Sequence, residues 1–268
     1  MKANCYQPTV GASTGCGRTS GTHSPPTICQ PLLLTLPSNG SYTQYCDLTR
    51  QYDPFPSPNT TTSGVPIPPY TGPPIDPFTP LGHTDLRAYM DAYWIARGQP
   101  NWELWAHEFS KHATCFSTFD TPCYGPRYRE GEDLIDFFET TIMFFLRLPT
   151  YDWLASKAIV PSNTTSYSLS DIEGALSNAY GAVPYVGCAG PAWNETDAGR
   201  GSDDDGATEL SEVWYYFHSL GRPQEGRAVP AQQTGGSSCA RAEGAVRYLE
   251  RALGSERGVG GAGGGGEM

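Results

Sequence analysis

The segment Trp102-Glu-Leu-Trp105-Ala-His107-Glu108-Phe-Ser-Lys111-His112-Ala113-Thr114-Cys115 sets two imidazoles, a carboxylate and an ammonium within six residues. In a helix, Glu108 and His112 stand four residues apart on one stripe, and His107 and Lys111 share the adjacent stripe. All four then face one small target. Side chains that exchange protons near neutral pH, set beside a cation, suit acid–base chemistry on an anion such as a phosphate. The plain alternative is an ordinary solvated helix face. A zinc site needs histidines at i and i+4 with a glutamate between them; here position i+4 is Lys111 and the second histidine falls at i+5. No metal ligand set is expected.

The run Trp105-Ala-His107-Glu108-Phe-Ser-Lys111-His112-Ala113-Thr114-Cys115 resembles the second active-site segment of the ribonuclease T2 family, with Ala113 where the family usually has glycine. Ser41-Tyr42-Thr-Gln-Tyr45-Cys46-Asp47, Leu169-Ser170-Asp171-Ile172-Glu173 and Pro184-Tyr185-Val186-Gly187-Cys188 resemble fungal counterparts in the expected order. The likeness covers roughly Tyr42 to Cys239, with insertions.

The resemblance implies metal-independent cleavage of single-stranded RNA, in which the 2′-hydroxyl is the nucleophile and a 2′,3′-cyclic phosphate forms. It implies His112 as an acid–base residue, Glu108 and Lys111 as stabilisers of the phosphorane-like transition state, and His107 as a phosphate holder. No cofactor is implied. It also implies Cys46–Cys115 and Cys188–Cys239 disulfides. Tyr42 and Trp105 are the aromatic candidates for base contact, a buried core tyrosine being the equal alternative at Tyr42. The family's first active-site segment, His-Gly-Leu-Trp-Pro, has no counterpart. In its place stands Cys29-Gln-Pro-Leu32-Leu33-Leu34-Thr-Leu36-Pro37-Ser-Asn39-Gly.

Of the other histidines, His23 lies in a Gly/Ser/Thr/Pro-rich stretch, His83 precedes an expected helix cap at Thr84, and His218 follows the aromatic run Trp214-Tyr215-Tyr216-Phe217. None is a convincing substitute for the missing imidazole, whose loss typically costs roughly 10²–10⁴-fold in rate. Two readings compete: a diverged relative that binds RNA without cutting it well, and a chain whose missing piece lies in coding sequence not represented here. The intact second segment favours the latter, as does the start Met1-Lys-Ala-Asn-Cys5, which lacks a signal peptide and is expected to be truncated.

With 268 residues, one sizeable core is expected. A net charge of −11 and a pI near 4.8 oppose long-range attraction to a polyanion at neutral pH. Acidic working conditions relieve this, because carboxylates neutralise while histidines charge, and an acidic optimum is expected. Eight cysteines without a Cys-x-x-Cys pair point to disulfides in an oxidising compartment. Sequons at Asn39, Asn59, Asn163 and Asn194 point the same way, toward a secreted or vacuolar glycoprotein. No apolar run is long enough for a transmembrane helix, and a monomer is expected.

The elements that must hold this chemistry are legible in part. Residues 1–37 are Gly/Ser/Thr-rich and expected to be poorly ordered; 38–253 are expected, from the resemblance, to form a ribonuclease T2-like domain with a proline-rich insertion at about 54–80; 254–268 are expected to be a Gly-rich disordered tail. Leu86, Tyr89, Met90, Tyr93 and Trp94 follow helical spacing after Thr84, and Leu134, Phe137, Phe138, Ile142 and Phe145 repeat much of it. Ser170 and Glu173 suggest a capping box, with Ile172 and Leu176 on one face. Val183–Gly187 and Val213–Phe217 read as strands, with an acidic loop at 198–206 between them. An α+β fold follows, an antiparallel sheet with several packed helices, like that of the family it resembles. The expected activity is that of an endoribonuclease, the alternative a catalytically impaired RNA-binding glycoprotein on the same scaffold.

Overall fold

The computed structural model describes residues 10–16, 29–34, 43–96, 98–190, 206–233 and 235–250, the first two stretches as backbone only. His23, Asn39, Tyr42, Asn194, residues 198–205 and the tail from 254 lie outside the described residues.

A seven-stranded sheet forms the spine: β1 (Val10–Cys16), β2 (Cys29–Leu34), β3 (Ser166–Tyr167), β4 (Tyr185–Ala189), β5 (Thr208–Ser219), β6 (Ala228–Ala231) and β7 (Val246–Arg247). The 12-residue β5 is its centre. It pairs antiparallel with β1, β4 and β6, and parallel with the short β7, while β2 extends the sheet beyond β1. Buried Val213, Tyr215 and Phe217 alternate with less buried Trp214, Tyr216 and exposed His218, as a strand with one covered face requires. The α+β expectation holds. Within residues 1–37, β1 and β2 are described and pair in register, β1 with both β2 and β5, while the rest of that segment lies outside the described residues. Strand pairing there uses main-chain groups, which small Gly/Ser/Thr side chains do not advertise.

Among the described residues six α-helices accompany the sheet: α1 (Phe78–Leu81), α2 (Thr84–Tyr93), α3 (Asn101–His112), α4 (Glu132–Phe145), α5 (Thr150–Ala155) and α6 (Leu169–Tyr180). Helices α2, α3 and α4 bury an aromatic core in which Phe109 meets Phe137 at 5.9 Å, and Phe78 meets Trp105 at 5.9 Å and Phe138 at 5.8 Å between ring centroids. Each fully buried phenylalanine contributes about 1.5–3 kcal/mol relative to exposure. A second core joins α5 and α6 to β4 and β5 through Leu154, Ile172, Leu176, Val186 and Tyr215.

Two cap expectations are corrected. Thr84 is the first residue of α2 and His83 occupies the cap position, without a side-chain cap bond. In α6 the cap position falls on Ser168, so Ser170 lies inside the helix and makes no capping box with Glu173; the Ser168 hydroxyl accepts the Gly244 N–H at 3.1 Å. A tertiary contact thus engages the hydroxyl at the true cap position, which makes no side-chain bond to its own helix.

The proline-rich stretch folds back on the segment before it. Tyr70 N–H donates to the Asp53 carbonyl at 2.9 Å, Gln51 Nε2 donates to the carbonyls of Asp53 and Pro68, and Ile67 and Ile75 are buried. Prolines supply no N–H for a ladder, so Thr60↔Pro66 is an isolated bridge. No described helix is long and apolar enough to cross a membrane.

Candidate active site

Helix α3 carries the reactive cluster because its sequence has two demanding faces. Trp105, Ala106 and Phe109 are wholly buried, and the Trp105 indole N–H donates to the Trp94 carbonyl at 2.8 Å. With that face committed to the core, Glu108 and His112 fall at the core boundary, 8 % and 5 % exposed, and His107 and Lys111 lie further out. The two stripes expected from i, i+4 spacing are thus distinct in depth. Lys111 and His112 also end the helix, where the dipole favours cations.

The segment 43–53, with a single 3-10 turn at Leu48–Arg50, is laced along α3. Tyr45 N–H donates to the Lys111 carbonyl at 3.0 Å, Cys46 N–H to Thr114 Oγ1 at 3.1 Å and Tyr52 N–H to Ser110 Oγ at 2.8 Å. The Cys46–Cys115 disulfide, with a Cα–Cα distance of 4.9 Å, closes the same seam. Cys188–Cys239 ties β4 to the chain before β7. Both implied pairings are present, and no described cysteine is free. Arg50 anchors the segment from behind: it is 7 % exposed and donates to Asp47, Asp120, Asp133 and the Phe119 carbonyl at 2.9–3.0 Å.

This segment adds two residues to the cluster. His107 Nδ1 lies 2.7 Å from Asp53 Oδ2, and the same oxygen accepts the Tyr45 hydroxyl at 2.7 Å. Asp53 is 2 % exposed. Burial alone would raise its pKa, but hydrogen bonds from His107, Tyr45 and the Phe55 N–H hold the carboxyl below its ordinary value. Burial and the bond to Asp53 keep the Tyr45 phenol protonated. Tyr45 has φ +51°, a left-handed conformation unusual for a bulky side chain.

The inner pair is shifted the other way. Burial pushes the Glu108 carboxyl up to about 7, with the His107 and Lys111 charges opposing. Its Oε2 is buried without a hydrogen-bond partner. Burial, then the Lys111 and His107 charges, drives the His112 imidazole well below its usual value. Burial lowers the Lys111 ammonium as well, against the attraction of Glu108 and Asp53. His107 and His112 face each other edge to face, ring centroids 6.4 Å apart. The arrangement holds a proton acceptor, a proton donor and a cation within one small volume.

The other sequence candidates fall elsewhere. Trp105 is a core residue with 0 % exposure, closed to a nucleobase, because its indole is packed between Phe78 and the Arg87 guanidinium. His83 pairs with Glu139 at 2.9 Å, and His218 points outward from β5. Asn59 and Asn163 are exposed. Among the described residues, no three His, Cys, Asp or Glu side chains are grouped to hold a metal ion. A cleft of about 580 Å³ lined by Tyr124, Arg129, Glu132, Asp136, Arg222 and Glu225, among others, shares no residue with the cluster. Its acidic lining is a poor match for a polyanion. The sequence assigns no role to Tyr45, Arg50 or Asp53; Tyr45 lies in the Ser41–Asp47 run that carries the resemblance, and the Asp47-x-x-Arg50 charge pair is the local signal that points to Arg50.

The chain matches the Ribonuclease T2 family over residues 29–224. It is 36% identical over 200 residues to ribonuclease Trv of Hypocrea rufa, covering 75% of this chain and 70% of that protein. It is 34% identical over 197 residues to a ribonuclease T2-like protein of Aspergillus fumigatus, covering 74% of this chain but 39% of that longer protein. The crystal structure of Actibind, a T2 ribonuclease, superposes with a TM-score of 0.68 at 26% identity, covering 91% of this chain and 88% of that one. Family match, relatives and shared fold agree with the helix-borne cluster: the chain belongs to the ribonuclease T2 family of endoribonucleases.

Proposed function

We propose that this chain cleaves single-stranded RNA without a metal ion, by attack of the 2′-hydroxyl on the adjacent phosphodiester to give a 2′,3′-cyclic phosphate and a free 5′-hydroxyl. The observation that carries this reading is the convergence of His107, Glu108, Lys111 and His112, with Glu108 Oε2 buried and unpartnered. His112, kept neutral by burial, accepts a proton. Lys111 offers a cation to the phosphoryl oxygens, and Glu108, protonated below about pH 7, offers an O–H donor to the oxygen that gains charge. His107 contacts the phosphate from the outer stripe.

The disulfides and the exposed sequons Asn59 and Asn163 support placement outside the cell or in a vacuole. The competing reading, an RNA binder with impaired catalysis, draws on the absence of a His-Gly-Leu-Trp-Pro segment. Incubating single-stranded RNA with the protein at acidic pH in EDTA separates the two. Cyclic-phosphate products from the wild type and none from His112→Ala support the nuclease; binding without products from the wild type supports the binder.

A further inference from the structure

Transesterification at a phosphodiester moves two protons, one off the 2′-oxygen and one onto the departing 5′-oxygen, so it works best with two proton-transfer side chains. The sequence holds five histidines. Among those in the described residues, His83 is engaged by Glu139 and His218 lies on the outward face of β5. His107 alone of these lies beside His112, its ring centroid 6.4 Å away, close enough for both to reach oxygens on one phosphorus.

We propose that His107, aligned by Asp53 and Tyr45, is the second proton-transfer residue of this enzyme, the partner of His112. This rests on the ribonuclease reading above and assigns His107 more than phosphate holding. The geometry is that of a carboxylate–imidazole dyad: Asp53 Oδ2 meets Nδ1 at 2.7 Å, so the proton on Nδ1 is fixed and Nε2 is the nitrogen presented to substrate. Asp53 is itself over-determined, accepting the Tyr45 hydroxyl at 2.7 Å and the Phe55 N–H at 2.8 Å. The left-handed Tyr45 backbone is retained beside the Cys46 disulfide, and strain of this kind persists where surrounding structure enforces it. Besides Asp53 and Tyr45, the titratable groups around the ring are Glu108, Lys111 and His112.

In the first step His112 takes the 2′-hydroxyl proton as the 2′-oxygen bonds to phosphorus. The P–O5′ bond breaks, and its electron pair takes the Nε2 proton of the His107 imidazolium. In the second step neutral His107 accepts a proton from water as the water oxygen bonds to phosphorus, and His112 returns its proton to the 2′-oxygen as the P–O2′ bond breaks. Protons and charge balance with water as the co-reactant. His107 is catalytic in this scheme and Asp53 a positioning residue.

The experiment compares a dinucleoside 3′,5′-phosphate with a nucleoside 3′-(4-nitrophenyl phosphate), whose phenolate leaves without a proton. His107→Gln is expected to lower kcat/KM on the dinucleotide by roughly 10²–10⁴-fold and on the nitrophenyl ester by less than about tenfold. His112→Gln is expected to impair both. Asp53→Asn is expected to lower kcat on the dinucleotide with KM within about threefold, again sparing the ester, as the loss of a transition-state interaction requires. Thermal midpoints verify folding, and Tyr45→Phe replaces Asp53→Asn if the latter does not fold. Equal losses on both substrates for His107→Gln, or no loss on either, overturn the proposal and leave the ribonuclease reading standing. A wild-type protein that cleaves neither substrate overturns both.

Discussion

Arg50 Nη1 lies 3.0 Å from Asp133 Oδ2 in the interior, with 8 % and 1 % side-chain exposure. This pair fastens the segment bearing Tyr45 and Asp53 to α4. Arg50→Ala leaves the buried Asp133 without a cation, its remaining side-chain partner being the Tyr128 hydroxyl, and removing one partner of a buried pair costs about 3–5 kcal/mol. Urea denaturation measures the loss. A change below about 1 kcal/mol would show that the remaining contacts hold the segment without Arg50.

The Glu108 carboxyl gives a pH signature. Between its unfolded pKa of 4.5 and its folded value of about 7, the folded protein retains a proton that the unfolded chain releases, so stability falls as pH rises through that window. The full effect is up to about 3 kcal/mol. Cleavage falls over the upper part of the same range, as the O–H donor becomes an anion facing phosphate. Glu108→Gln is expected to flatten both limbs, read by denaturation midpoints and initial rates from pH 4 to 8. His112 acts oppositely: its lowered pKa makes the folded state lose stability as pH falls below about 6.5.

The Cys46–Cys115 and Cys188–Cys239 disulfides predict different outcomes. Each closes a long loop, with separations of 69 and 51 residues, and losing either is expected to cost about 2–5 kcal/mol. Cys46→Ala/Cys115→Ala also loosens the seam that places Tyr45 beside His107, so its kcat falls at temperatures where it remains folded. Cys188→Ala/Cys239→Ala is expected to keep kcat near wild type. Equal activity in the two double variants would detach the seam from catalysis.

Trp105 tests the separation of core from base contact. Trp105→Ala is expected to cost about 3–5 kcal/mol while product ratios across dinucleotides stay unchanged. A shift in those ratios in the folded variant would place the indole at the substrate.

Local pattern reveals groups that lie close in sequence. Four-residue spacing predicted the stripes that separate Glu108 and His112 from His107 and Lys111, and helical periodicity found Met90, Phe137, Ile172 and Leu176 in the core. Local pattern fails where main-chain pairing or a distant acceptor decides: β1 and β2 join the sheet without an apolar alternation, and Ser168 serves Gly244 instead of its helix.

By itself the sequence determined which side chains share each face of α3, because 3.6 residues per turn converts spacing into facing. Tertiary structure alone decided that Asp53, 54 residues before His107, stands behind it, that Arg50 ties the intervening segment to α4, and that Trp105 is buried. These outcomes depend on packing between segments far apart in the chain, and burial, which sets the Glu108 and His112 proton affinities, belongs to the assembled core.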